Sequence, residues 1–214
     1  MYSKFCILNQ ILLGVKDDLT KWVSFQERKI SIYEYEIFDF GEIMNDLIQL
    51  ILSRRSIRKF KQTPISKKDL ELIVEAGLAA PSGKNQQTWK FTVITSTLEI
   101  QKLADAIGKV LSRENYNFYK PTALIIPSNL KESPWGRDDN ACALQNIFLA
   151  AHSLQIGSVW INQLKDICDH ELIRPILDSF EIPKNHVVYG LAALGYPETE
   201  VKQIERKGLI HFVE

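Results

Sequence analysis

The sequence has few of the residues that build metal centres or disulfide frameworks. It contains three cysteines, which lie far apart at Cys6, Cys142 and Cys168. None of its histidines shows a His-x-x-x-His spacing or a neighbouring pair of cysteines. We therefore expect no disulfide scaffold, zinc site or iron–sulfur cluster, and a reducing compartment. Surface, helix-end or structural roles are expected for the four histidines, which are His152, His170, His186 and His211.

Three common nucleotide-binding and hydrolytic motifs are also missing. None of the ten glycines belongs to a Gly-x-Gly-x-x-Gly sequence, and no Walker A sequence is present. A Gly-x-Ser-x-Gly sequence is absent too. These absences exclude the usual dinucleotide loop, the phosphate loop of NTPases and the nucleophile elbow of α/β-hydrolases.

The chain has no excess charge of either sign and no long apolar run. Lys+Arg and Asp+Glu both number 26, whereas general nucleic-acid binding needs a net basic surface. No run approaches the roughly 20 apolar residues that span a bilayer. The N-terminus is a poor secretory signal, because polar residues interrupt it and no cleavage pattern follows. We expect a cytoplasmic protein with no nucleic-acid or membrane partner.

Composition and hydrophobic periodicity divide the chain into an extension and a compact domain. Hydrophobic residues make up 45% of the 214 residues, which is enough for a full core. Residues 1–43 carry many aromatic and charged residues without a clean period, and we assign them to an N-terminal extension of unknown role. The domain is predicted to cover residues 44–214, with Asn45 or Asp46 capping its first helix.

Helix and strand signals alternate along this domain without repeats. Ser66 opens an acidic variant of the capping box, with Ile65 and Leu70 placed as a hydrophobic staple. Strands are expected over 89–95, 122–126, 158–161 and 187–194, and loops over 112–120 and 129–137. A helix is expected over 99–107, and a central helix from Asp138 or Asp139 to a left-handed turn at Gly157. A last helix is expected over 169–180, where Pro175 divides it. The alternation predicts a mixed α/β or α+β layered domain.

A short basic cluster follows an apolar helix. Residues 54–60 hold three arginines, a lysine and a serine, and no acidic residue occurs between Ser53 and Lys68. The planar fork of arginine suits a phosphate better than a lone ammonium does. The cluster is therefore either an anion site or a basic surface turn, and taken alone it does not choose between them.

A polar loop, Ala80 to Trp89, lies between a predicted helix and a predicted strand. Its Ser, Asn and Gln side chains and its backbone amides suit a polar planar ring or a ribityl chain. Taken alone, an ordinary polar loop is the favoured interpretation.

These two motifs and two later segments together resemble the nitroreductase family of FMN-dependent oxidoreductases. The matching segments follow the family's order and spacing, at residues 54–60, 80–89, 157–161 and 193–197. The resemblance runs from Met44 to Arg206. It implies an α+β fold with a central, mostly antiparallel sheet flanked by helices, assembled as a domain-swapped homodimer.

The resemblance also implies which residues hold FMN. Residues 54–58 match the segment that grips the phosphate, the ribityl chain and the pyrimidine edge. The polar loop matches one that the other subunit supplies, and residues 160–162 match the segment whose backbone N–H faces flavin N5. A late basic residue completes the phosphate clamp, either Arg206 or, in its place, Lys202 or Lys207. The predicted FMN contacts are Arg54, Arg55, Ser56, Arg58, Pro81, Ser82, Asn85, Gln87, Trp160, Ile161, Asn162 and Arg206.

The implied function needs no catalytic side chain, because the isoalloxazine ring performs the redox step. Hydride is expected to pass from NADH or NADPH to flavin N5, and then to a nitroaromatic, a quinone or a similar planar acceptor, in a ping-pong cycle. Four aromatic residues are predicted to shape the substrate pocket, although the same rings could serve the core or a dimer interface: Tyr116, Phe118, Tyr119 and Trp135. Open alternatives are another flavin-dependent reaction (dehydrogenation, dehalogenation or flavin fragmentation), a non-catalytic flavin-binding module, and a fold without flavin.

Overall fold

The computed structural model describes residues 40–199 and 204–214. Residues Gln49–Glu214 form one compact unit, and helix α1 (Phe40–Ser53) begins in the preceding unit. The predicted extension lies outside the described residues apart from its last four positions, so its role stays a prediction. Lys202 lies outside them too. Across the part that is described, no helix combines the length and the apolar character that a membrane span requires.

An antiparallel sheet forms the centre of the domain. Its strands are β1 (Trp89–Ile94), β2 (Ala123–Leu130), β3 (Gly157–Ile161), β4 (His186–Val187) and β5 (Leu191–Gly195). The order across the sheet is β1-β2-β5-β3, and β4 pairs with the far end of β2. Every strand pair is antiparallel. The predicted α+β class with an antiparallel sheet is therefore confirmed.

Strand β2 runs four residues beyond its predicted end because Pro127 does not interrupt it. β5 pairs with β2 only as far as Ile125, and β4 pairs from Asn129 onward, so Pro127 faces a gap between them. The N–H that proline lacks would point to the same side of the strand as the Pro127 carbonyl. That carbonyl accepts a hydrogen bond from Asn140 Nδ2 at 3.2 Å instead of from a neighbouring strand. No ladder hydrogen bond is lost, which makes proline acceptable there.

Helices pack on both faces of the sheet. They are α2 (Lys67–Leu78), α3 (Thr97–Val110), α4 (Gly136–Ser153) and α5 (Arg174–Ser179). The predicted Ser66 cap is confirmed, since Ser66 Oγ accepts from the Asp69 N–H at 3.1 Å and donates to Asp69 Oδ2. Both staple residues, Ile65 and Leu70, are buried.

Alternation along β2 creates two hydrophobic cores. Leu124 and Ile126 point to the face that α3 covers, where they join one buried cluster. Ala123 and Ile125 point to the opposite face and join a second cluster with residues of α2 and α4. This period of two residues is the geometry of an extended strand, and it places α4 against the sheet.

Several predicted boundaries were wrong. Helix α1 begins at Phe40 because apolar residues continue the helical spacing backwards from Leu47, so Asn45 and Asp46 lie inside it. Helix α4 begins at Gly136, before both predicted caps, and its N-cap residue makes no side-chain capping bond. The left-handed residue after α4 is Gln155, with φ of 59°.

Two further differences concern the C-terminal part of the domain. The predicted last strand is divided into β4 and β5 by residues 188–190. Pro175 does not interrupt a long helix but lies in the first turn of α5, where its missing N–H costs nothing. Residues 165–173 form turns before it.

Candidate functional site

The basic cluster lies against the outer edge of the sheet. Ser56 forms a parallel bridge with Ser158 of β3, and the Ile57 N–H donates to the Ser158 carbonyl at 2.9 Å. Close approach is possible because Gly157 has no side chain, since a Cβ there would lie 2.8 Å from Ile57. With Ile57 and Phe60 anchored in the core, the basic side chains between them are held at the β3 edge.

Four basic side chains converge at this edge, and we call them the cationic cluster: Arg54, Arg55, His152 and Arg206. Arg206 Nη2 donates to the Arg54 carbonyl oxygen at 3.4 Å. Burial, followed by repulsion from Arg206 and Arg55, lowers the pKa of the Arg54 guanidinium. Burial and the charges of Arg54 and Arg55 likewise lower the pKa of the His152 imidazole. Mutual repulsion of this kind would be relieved by a bound anion.

A cavity of about 600 Å³ opens beside this cluster, and we call it the cationic cavity. Its polar and charged lining comes from the end of α1 and the segment after it, the end of α4, β3 and the segment after β5: Ser53, Arg55, Lys61, His152, Gln155, Ser158, Tyr196, Glu198 and Thr199. Cationic donors together with hydroxyls suit a phosphate attached to a polyhydroxylated chain. Among the predicted residues, Arg55 lines this cavity, Arg54 and Ser56 flank Arg55 in the chain, and Arg206 contacts the Arg54 carbonyl.

Arg58 takes a different position from the cationic cluster. Its guanidinium lies over the Tyr119 ring, 5.8 Å from the ring centroid, which is a cation–π geometry. Tyr119 is 44% exposed, so this pair faces solvent.

Two of the predicted pocket aromatics belong to the core. Phe118 is 1% exposed and packs edge-on against Tyr116, with ring centroids 5.1 Å apart. Phe118 cannot line a substrate pocket in this arrangement, so that prediction is corrected. Burial raises the pKa of the Tyr116 hydroxyl, which is enclosed rather than open to a ligand.

A second cavity, of about 580 Å³, lies between the first turns of α4 and the end of β3, and we call it the aromatic cavity. Trp160, Asn162 and Tyr189 line it together with Arg137 and Lys165. Trp160 points to the α4 side of the sheet, where its ring centroid lies 5.9 Å from that of Phe148.

Successive side chains of a strand point to opposite faces of the sheet, so the Ile161 side chain lies on the other face from Trp160 and Asn162. The Ile161 side chain is 3% exposed and packs in the core on the opposite face, so only its backbone can meet a ligand beside Trp160. The Asn162 N–H donates to the Gln163 side-chain oxygen at 3.0 Å. This N–H is therefore already paired within the chain, and a backbone N–H of residues 160–162 that faces flavin N5 stays a prediction.

The polar loop is built around Gly83 and is fixed to α4. The Gly83 N–H donates to Asp139 Oδ1 at 2.8 Å, and a Cβ on Gly83 would lie 2.3 Å from the Trp135 ring. Trp135 also holds Lys84 Nζ over its ring at 5.2 Å. The Trp135 ring therefore supports the loop, and the assignment of Trp135 to the substrate pocket stays a prediction.

The loop carries the remaining predicted cofactor contacts. Lys84, Asn85 and Gln87 have left-handed φ values of 51°, 55° and 49°. The Gln87 N–H donates to Ser82 Oγ at 3.1 Å, and Gln87 Nε2 donates to Asn85 Oδ1 at 2.6 Å. Pro81 is exposed at the start of the loop.

Within one chain, α4 separates this loop from the aromatic cavity. Successive helical residues turn by about 100°, so Asp139, which holds the loop, points away from Arg137 and Ala141, which line the cavity. One protomer thus does not bring Ser82 and Asn85 to Trp160 and Asn162.

Sequence reasoning did not anticipate three residues of the cationic cavity. His152 and Lys61 were not assigned to a site, and Ser53 was considered only as a boundary of the basic cluster. Ser53 Oγ lies 2.9 Å from His152 Nε2, although the two are 99 positions apart in the chain. The sequence could have indicated Ser53 as a site residue, because it directly precedes Arg54. No feature of the sequence around His152 indicates that it lies at the site.

These features define an α+β protein with a cationic ligand cavity at the edge of an antiparallel sheet. The profile of the Nitroreductase family matches residues 51–124 and 111–196 of this chain. The chain therefore belongs to the nitroreductase family.

Individual relatives agree with this assignment. An Archaeoglobus fulgidus protein with the provisional name NADH dehydrogenase/NAD(P)H nitroreductase is 32% identical over 163 residues, which are 73% of this chain and 88% of that protein. The NADPH-flavin oxidoreductase of Vibrio harveyi is 30% identical over 166 residues, 72% of this chain and 67% of that protein. The crystal structure of a nitroreductase with bound FMN from Bacteroides fragilis NCTC 9343 superposes with a TM-score of 0.76, at 38% identity, covering 78% of this chain and 98% of that one.

Proposed function

We propose that this protein is a homodimeric, FMN-dependent oxidoreductase that uses NADH or NADPH to reduce nitroaromatics, quinones or similar planar acceptors in a ping-pong cycle. The observation that carries the proposal is the convergence of Arg54, Arg55 and Arg206 beside the cationic cavity. Family membership and relatives named for flavin and NAD(P)H support it.

The donor set fits the phosphate end of FMN. A phosphate monoester carries about two negative charges at neutral pH. Arg54 and Arg206 offer guanidinium donors close to each other, and Ser56 adds a hydroxyl beside β3. Charge-assisted hydrogen bonds from such donors are among the strongest a protein makes. We therefore assign the phosphate to the cationic cluster, and we assign the late basic position of the clamp to Arg206.

The aromatic cavity fits the ring end. Trp160, which is 41% exposed, offers an aromatic ring, and Asn162 lines the same cavity. FMN, when bound, supplies the hydride and electron transfer itself. The protein's own contribution is to bind and orient the ring, with Arg137, Lys165 and Asp138 as the charged residues of the lining.

A second copy of the chain would complete the site. The polar loop lies on the far side of α4 from the aromatic cavity, so Ser82 and Asn85 would reach the ring from a partner. The described tail is apolar and open: Leu209, Ile210, Phe212 and Val213 are all more than 80% exposed. A large exposed apolar segment on a folded protein marks an interaction surface.

A groove elsewhere on the domain supports the same proposal. A groove of about 750 Å³ lies between α2 and the edge strand β1, and Leu70, Val74 and Val93 contribute its apolar lining. An edge strand offers unpaired backbone groups that a second chain can cover. We assign the tail of one copy to this groove of the other.

The decisive test is the visible spectrum of the purified protein before and after NADPH is added without oxygen. The proposal expects flavin absorbance, either as purified or after incubation with FMN, and rapid bleaching by NADPH or NADH. Persistent absorbance with both nicotinamides would refute NAD(P)H oxidation, and would favour another flavin reaction or a binding module. Colourless protein after incubation with FMN would refute the cofactor assignment.

Hybrid dimers test whether the site is shared between subunits. One protomer carries Arg54→Ala and the other carries Ser82→Ala with Asn85→Ala, with different affinity tags for isolation. A shared site puts both lesions in one site and leaves the other intact, so the hybrid should bind one FMN per dimer with wild-type affinity. A site built within one chain would leave a lesion in each site, and no high-affinity FMN would bind. Differently tagged wild-type protomers, treated alike, provide the control.

A further inference from the structure

His152 of the cationic cluster is paired with Ser53, and the function proposed above assigns no proton transfer to this pair. His152 is in the last turn of α4, and its Nε2 lies 2.9 Å from Ser53 Oγ. Both residues line the cationic cavity. Contacts between elements so distant in the chain place the imidazole next to the arginines that we assign to the phosphate.

The contacts of Ser53 suit a protonated His152. Ser53 Oγ lies 2.9 Å from His152 Nε2 and 3.2 Å from the Leu50 carbonyl oxygen, to which its hydroxyl can donate. An imidazolium carries a proton on both ring nitrogens, so its Nε2–H can donate to Ser53 Oγ while the hydroxyl donates to the Leu50 carbonyl. The Nδ1–H of the imidazolium then remains as a further donor.

Opposing charges act on this second proton. Burial disfavours it, as the charges of Arg54 and Arg55 do, and together they lower the pKa of His152 from its ordinary value of 6.5. Lys61 of the segment that follows the cluster has the same sign, while Glu198 beyond β5 has the opposite sign. The C-terminal end of α4 favours a cation. A bound dianion would favour the second proton further, because a neighbouring negative charge stabilises the imidazolium.

We infer that His152, oriented by Ser53, is a proton-accepting binding residue for the FMN phosphate, so that the protein takes up a proton as FMN binds. The inference rests on the proposed function. The bound imidazolium supplies a further cation to the clamp, and FMN affinity becomes linked to pH.

Calorimetry of FMN binding to the apoprotein tests the inference. At pH 7.5 the phosphate is almost wholly dianionic, because its second pKa is about 6, so its own titration does not interfere. Titrations in two buffers with different ionisation enthalpies should show uptake of up to about one proton per FMN. Between pH 7.0 and 8.5 the Kd should rise by up to about tenfold per pH unit.

Three variants and one ligand without the phosphate identify the group responsible. His152→Gln should abolish the proton uptake and flatten the pH dependence. Ser53→Ala should reduce both, even if the first variant folds poorly. His170→Gln replaces an exposed histidine and should change neither. Riboflavin, which lacks the phosphate, should bind the wild type without proton uptake.

The outcomes separate the two claims. FMN binding with no proton uptake, or with equal uptake by wild type and His152→Gln, would overturn the inference and leave the proposed function standing. Equal uptake with riboflavin would overturn it as well, because the phosphate would not be the cause. Absence of FMN binding by the wild type would overturn the proposed function and this inference with it.

Discussion

Removal of Arg54 or Arg206 should weaken FMN binding selectively through the phosphate. Each guanidinium that makes a charge-assisted hydrogen bond contributes about 1.5–3 kcal/mol, so Arg54→Ala and Arg206→Ala should each raise the Kd for FMN about 10- to 150-fold. The two residues share one site, since Arg206 contacts the Arg54 carbonyl, so the double variant should deviate from additivity. Arg58→Ala should have a smaller effect, because Arg58 lies over Tyr119.

Quenching of flavin fluorescence on binding to the apoprotein measures these affinities, with FMN and riboflavin compared side by side. Riboflavin affinity should be nearly unchanged in both variants, because it has no phosphate to lose. The salt dependence of FMN binding should also weaken, since fewer charges participate. Arg113→Ala removes an exposed arginine from a turn and serves as the matched control.

Two results would refute this reasoning. Unchanged FMN affinity in the double variant would show that the phosphate lies elsewhere. Equal losses for FMN and riboflavin would show that these arginines support the ring or the fold rather than the phosphate.

Further predictions concern stability, measured by denaturant unfolding of the apoprotein. Gly83→Ala should cost about 1–3 kcal/mol, because its Cβ would overlap the Trp135 ring, whereas Gly208→Ala meets nothing within 4 Å and should be neutral. Ile147→Ala, at a fully buried position, should cost about 2–5 kcal/mol, and Leu98→Ala, at a 74% exposed position, should cost under about 0.5. Burial lowers the pKa of His186 below 6.5, so the folded state binds fewer protons than the unfolded state. The free energy of unfolding should therefore fall as the pH drops through 6.5, and this component should disappear in His186→Gln. Equal losses in each matched pair, or an unchanged pH slope in His186→Gln, would contradict these predictions.

The parts of the fold that depend on local interactions could be predicted from the sequence. The Ser66 cap with its staple depends on residues within one turn, and the predicted β1 differs from the observed strand by one residue at its end. Boundaries failed where a distant partner decides them. Pro127 continues β2 only because β4 and β5 leave a gap beside it, and Asp139 serves the Gly83 loop rather than capping α4.

The candidate site divides in the same way. The basic cluster was recognised because its residues are contiguous, so their charges are close in any fold. Phe118 was wrongly assigned to the substrate pocket, because aromatic character alone does not indicate whether a ring is buried. The Phe118 side chain is 1% exposed and belongs to the core.

The sequence by itself determined that guanidinium groups are concentrated after the first helix of the domain, and that strands and helices alternate in a layered domain. The resemblance of its motifs to the nitroreductase family added the antiparallel α+β sheet. Only the tertiary structure decided which distant groups join those arginines. Arg206 and His152 reach Arg54 and Ser53 across 152 and 99 positions of chain. Residues this far apart in the chain come into contact only through strand pairing and core packing, and local sequence propensities do not predict such contacts.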